Sequence, residues 1–126
     1  MKQLKTISLN GYSVTVAELD CLQGIRQEIL REEMADLVNE DDDMGIRLQK
    51  RFFYPDMIAT VVERAGFEKW PISFEEFCLL PHRLTKPWRE AVYELNPDLY
   101  PGSDSNQPPE EKKESILDSS SGNAGS

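Results

Sequence analysis

One histidine is all the imidazole this 126-residue chain holds, and two cysteines are all its thiol. His82 stands between Pro81 and Arg83 in a short connection and reads as a turn residue. Ser-His-Asp and Cys-His catalysis both need that imidazole beside a nucleophile and an orienting group, and nothing near it in sequence offers either. Glu75 and Glu76 are adjacent, so on a helix they project about 100° apart, the wrong arrangement for a shared acid/base pair. A glycine-rich phosphate loop and a Cys/His metal spacing are both missing. The expectation is therefore no catalytic residue, no metal ligand and no cofactor.

Long apolar runs are missing too. No stretch reaches the roughly 18 residues of a membrane-spanning helix, and MKQLKTISLNG has no apolar core of a secretory signal, so a cytoplasmic protein with no membrane partner is expected. Cys21 and Cys78 each neighbour a leucine without metal-type spacing, and both read as reduced, half-buried core residues. Basic charge is scarce: 14 Lys and Arg face 23 Asp and Glu, a net charge of −9. Phosphate contacts need clustered cations, so nucleic acid is excluded as a partner. The one basic cluster, Arg47, Lys50 and Arg51, follows the acidic run Asn39-Glu40-Asp41-Asp42-Asp43 and is expected to neutralise it. That run lacks the order of a calcium loop.

What is present is helix punctuation. The stretch from Phe67 to Pro97 holds both tryptophans and three of the five phenylalanines. Ser73 and Glu76 have capping-box spacing, with Phe74, Phe77, Cys78 and Leu80 on one side of a short helix that Pro81 stops. Thr85 offers a second N-cap ahead of Pro87, and Trp88, Ala91, Val92 and Leu95 repeat at helical spacing until Asn96-Pro97. Upstream, two alternating runs flank Asn10-Gly11, the pairing that favours a type I′ turn, so a hairpin is predicted over residues 4 to 15. A lone hairpin is marginal in water. Its apolar side must then lie on helices or form a self-association edge, with Ile7, Leu9, Tyr12 and Val14 as the candidates.

Thr15 and Glu18 form another possible capping box, opening a long helix that carries Leu19, Leu22, Ile25, Ile29, Leu30, Met34 and Leu37 to about Val38. Arg26, Glu28, Arg31, Glu32, Glu33 and Asp36 take its outer face, and Gly24 marks a kink or a close helix contact. Tyr54-Pro55-Asp56 opens a further helix with Met57, Ile58, Val61 and Val62 as its apolar stripe, closed by Gly66. From Ser103 onward the chain is Ser, Gly, Asn, Pro and charge, with Ile116 and Leu117 its only large apolar residues. Such a segment buries too little to offset its ordering entropy. The fold class expected is mainly α: a helical domain of four to five helices with an N-terminal β-hairpin over residues 1–100, and a disordered C-terminal tail over 101–126.

Trp70, Phe74, Phe77, Trp88 and Tyr93 read either as the core of a small domain or, where they stay exposed, as a partner groove. The pattern W-P-I-S-F-E-E-F-C-L-L-P leading into W-R-E-A-V-Y-E-L-N-P, together with Y-S-V-T-V-A-E-L from Tyr12, resembles the tail assembly chaperones of long-tailed bacteriophages. Within them the likeness is to the short upstream member of the pair made by programmed frameshifting. It covers about residues 5 to 100. The resemblance implies a non-enzymatic, self-associating cytosolic protein that coats the tape measure protein in the host cell and is absent from the mature virion. Its longer frameshifted form would recruit the tail tube protein. Lys112-Lys113 is compatible with an A-rich slippery run. A reading from another class is a small acidic adaptor or inhibitor that binds a host protein through the aromatic strip.

Overall fold

The computed structural model describes residues 3–101. Strand β1 (Leu4–Leu9) turns through Asn10-Gly11 into β2 (Tyr12–Ala17), with Leu9 opposite Tyr12 and Leu4 opposite Ala17. Asn10 and Gly11 both have positive φ, 51° and 88°, which is what the tight I′ turn demands. The predicted hairpin is therefore present.

A third strand was not predicted. β3 (Val61–Ala65) pairs antiparallel with the other side of β2, so the sheet order is β1-β2-β3 and β2 is central. The expected helix through Gly66 instead ends at Ala59, with Thr60 as its C-cap, whose N–H and hydroxyl both bond back to the Asp56 carbonyl. The β-branched pair Val61-Val62 then takes the ladder beside β2. Gly66 does close the element, but as a strand end: its φ is +92°, and a Cβ there would run into the Gly11 carbonyl.

Helix α1 (Cys21–Ala35) starts later than Thr15 and Glu18 suggest. Residues to Ala17 are still strand, and the capping box is Asp20 with Gln23. α2 (Met44–Leu48), capped by Asp43, passes through a π turn (Gln49–Phe53) into α3 (Tyr54–Ala59) without a break. Pro55 has no N–H to return to the preceding turn, and the wider π turn carries the helix past its ring. α4 (Phe74–Cys78) has the Ser73–Glu76 capping box as read. α5 (His82–Leu95) starts three residues before the predicted Thr85 cap, so His82 is an exposed first helical residue and Pro87 lies inside the helix.

α5 packs on both hairpin strands and on α3 and carries the core: Leu84, Trp88 and Val92 have no exposed surface, nor have Val14 and Val16 on β2, and Met57 on α3 keeps 1%. Asn96 fixes the end of that helix to the strand, accepting from the Leu19 N–H and donating to the Ala17 carbonyl. Helix thus outweighs strand, as expected, around a three-stranded antiparallel sheet. The compact unit closes at Asn96; the 3-10 turn Pro97–Leu99 belongs to a second unit. The tail predicted over 101–126 lies, from residue 102 on, outside the described residues. Both cysteines correct the prediction: Cys21 and Cys78 are unpaired but exposed, because each sits on the solvent side of its helix.

Candidate functional site

The aromatic set does not form one exposed strip. Trp88 and Phe77 are buried against each other, ring centroids 5.7 Å apart, and Tyr54 closes on Phe77 at 5.2 Å. Tyr93 is buried and hydrogen-bonded. Only Trp70 and Phe74 are half-exposed. Aromatic rings of this size contribute most when sequestered from water, and this small domain has used three of the five as core.

Tyr93 is held by a group the sequence did not single out. Asp56 is fully buried on α3, and four donors reach it. Oδ1 accepts from Gln27 Nε2 (2.8 Å) and Arg31 Nε (3.0 Å); Oδ2 accepts from Arg31 Nη2 (2.7 Å) and the Tyr93 hydroxyl (2.6 Å). Arg31, predicted on the outer face of α1, turns inward instead, its guanidinium also 5.0 Å over the Phe52 ring. A buried carboxylate needs partners on both oxygens, and the two-pronged arginine supplies half of them. Burial, then the charge of Asp56, pushes the Tyr93 phenol well above the usual tyrosine range. Its donors come from α1 and α5 and the carboxylate from α3, so the cluster is a brace tying these three helices.

With Arg31 inside, α1 is rotated so that its predicted apolar face is divided. Met34 and Gln27 go to the core, while Leu22, Ile25 and Ile29 remain 56%, 49% and 50% exposed. At about 100° per residue these three share one line along the helix, so they form a stripe. Beside that stripe lies a groove of about 410 Å³. Arg26, Ile29 and Leu30 line it from α1, Ile58 and Ala59 from the end of α3, and Trp70-Pro71 from the loop after β3. The Arg64 guanidinium sits 5.1 Å over the Trp70 ring and fixes that wall. Gly24 has open space around it, so it marks neither a close helix contact nor a clash. Exposed Glu28, Glu32 and Glu33 stand beside the stripe, with Arg26 as the exposed cation.

The self-association candidates divide as well. Ile7 and Leu9 are half-buried on β1, an edge strand; Tyr12 and Val14 lie on the central strand, and Val14 has no exposed surface. Tyr12 and Val14 are thus not at an edge, because β3 pairs along the side of β2 that a hairpin alone would leave open.

Of the three cations expected to neutralise the acidic run, Lys50 meets a carboxylate, Asp42 Oδ2 at 2.8 Å, and also the Leu37 carbonyl at 2.8 Å, while Arg47 donates to the main-chain carbonyls of Asp42 and Glu40. The Asn39 N–H, then Lys50, holds the Asp42 carboxyl below its ordinary value. His82 and Cys78 line a separate shallow groove of about 370 Å³ with Asp43. Among the described residues no three His, Cys, Asp or Glu side chains gather as a metal set, and no helix is long and apolar enough to cross a membrane. Compared with family models, curated proteins and solved structures, the chain matches none.

Proposed function

We propose that this chain is a non-enzymatic assembly chaperone that lends an apolar surface to a helical client. The observation that carries the reading is the stripe of Leu22, Ile25 and Ile29, each about half exposed, running beside the Trp70-walled groove. An amphipathic helix laid there would cover its i, i+3 and i+4 residues against the stripe. Glu28, Glu32 and Glu33 favour a client with basic flanks and would steer its approach in a salt-dependent way. Contacts of this size are modest and reversible, as suits a partner that is released when assembly ends.

The resemblance of residues 70–97 to phage tail assembly chaperones names the client class: the tape measure protein, met in the host cytoplasm. The tail tube protein would be reached through a longer frameshifted form. An adaptor for a host protein would have to use the same α1 stripe, since three of the five aromatic residues are inside.

Co-expression with fragments of the long helical tape measure protein tests the proposal. Capture of a fragment is expected, with binding reduced at least tenfold in Ile29→Lys and Leu22→Lys at unchanged melting temperature. Binding undiminished in both variants would move the site elsewhere. Failure of every fragment to bind would overturn the chaperone reading.

A further inference from the structure

β1 is the one long strand of this domain that the described structure leaves at an edge without a guard. The side on which its main chain is open follows from β2. The Ala17 N–H donates to the Thr60 carbonyl, on the β3 side of β2. Main-chain direction alternates along a strand, so Ser13, Thr15 and Ala17 turn toward β3, while Tyr12, Val14 and Val16 turn toward β1. Across the ladder, Leu9, Ile7 and Lys5 therefore bond to β2. Leu4, Thr6 and Ser8 point their N–H and C=O groups away from the sheet.

Natural edges are blunted by proline, bulges or free charge. β3 follows that rule, with an irregularity in its pairing and exposed Glu63 and Arg64. β1 does not. It has no proline and no bulge, and its single charge, Lys5, is drawn sideways to Glu94 on α5 at 2.6 Å.

We infer that the β1 edge pairs with the β1 edge of a second copy of this chain, antiparallel about a two-fold axis at Thr6, to give one six-stranded sheet. Charge selects the occupant. The chain carries −9, yet its first acidic residue is Glu18, so the whole hairpin is free of acid. Glu94 reaches this strand from α5 but is paired with Lys5, so the acid excess that sets two copies apart is not gathered here, whereas a basic client is drawn to the acidic flank of α1.

Register follows from the same residues. With the axis at Thr6, Leu4 meets Ser8 of the second copy, Thr6 meets Thr6, and all three outward residues exchange their bonds. An axis at Lys5 sets two ammonium groups directly opposite, which costs stability. An axis at Ile7 leaves Leu4 unpaired. The Thr6–Thr15 hydroxyl contact of 2.8 Å would continue as a ladder across the axis. An interface of one strand pair is small, so the dimer dissociates on dilution. This inference is independent of the client proposal and needs no client to test.

Sedimentation equilibrium of the full chain over a wide concentration range should show a monomer–dimer equilibrium. Thr6→Pro removes an outward N–H without touching the β1–β2 ladder, so it should give monomer throughout with unchanged circular dichroism. In a Cys21→Ser, Cys78→Ser background, Thr6→Cys should oxidise to a covalent dimer, whereas Ser8→Cys, which faces Leu4, should not. A wild-type chain that stays monomeric overturns the inference. So does a dimer that survives in folded Thr6→Pro, or equal cross-linking of the two cysteine variants. If Thr6→Pro fails to fold, the cysteine pair decides.

Discussion

Asp56 and Tyr93 lie 37 residues apart in sequence and 2.6 Å apart in space, the tyrosine hydroxyl donating to a carboxylate that has no exposed surface. The same carboxylate takes two bonds from Arg31, so one buried charge ties three helices together. Removing Asp56 takes two bonds from a guanidinium that is 22% exposed and leaves the buried Gln27 amide and Tyr93 hydroxyl without this acceptor, which costs about 2–4 kcal/mol. Asp56→Ala should lose that much in urea unfolding. Tyr93→Phe keeps the ion pair and should lose only about 1–2 kcal/mol. Equal losses in the two variants would mean that the charge is not the strong element of the brace.

Alkali should reveal the same site. The Tyr93 phenol is raised by burial and by Asp56, and Tyr54 is raised by burial and by Glu75 and Glu76. A group whose folded value lies above its unfolded value of 10.0 stabilises the fold below that pH and loses the effect as pH rises past it. Absorbance titration should therefore show Tyr54 and Tyr93 ionising late, together with a fall in melting temperature above pH 10. Tyr93→Phe should remove one late phase.

Acid acts at the other end of α1. Asp42, lowered by the Asn39 N–H and Lys50, has a folded value below its unfolded 3.8, so its contribution is present above that pH and lost as pH falls through the lower value. Amide exchange in residues 37–43 should rise in that window before the rest of the domain opens. Asp42→Asn should show the rapid exchange already at neutral pH.

Two glycines should respond oppositely to alanine. At Gly66 a Cβ meets the Gly11 carbonyl and φ is +92°, so Gly66→Ala should cost about 1–3 kcal/mol. Gly24 lies inside α1 with open space around it, so Gly24→Ala should gain about 0.5–1 kcal/mol. Chemical denaturation of both variants separates the cases; a Gly66→Ala as stable as wild type would show that the hairpin and the β3 end can move apart.

Residues close in sequence fixed what was legible beforehand. Asn10-Gly11 selects a turn through its own φ angles, and Ser73 with Glu76 caps a helix across three residues; neither needs distant help. The α1 face was misread because periodicity reports which residues share a side, not which side is covered. Leu22, Ile25 and Ile29 share a line, yet Arg31 was drawn to Asp56, 25 residues away, and turned that line toward water.

The chain on its own thus determined its hairpin, the helix caps near Ser73, the predominance of helix and the acid-free first 17 residues, because these are properties of neighbours and of composition. The tertiary structure alone decided that Val61–Ala65 is a strand, that Phe77, Trp88 and Tyr93 are core, and that α1 and β1 are the open surfaces. The physical reason is that burial and strand pairing are settled by partners far along the chain. A β-branched run becomes strand only where an open ladder waits beside it, and an apolar stripe is buried only if no buried charge claims the helix first.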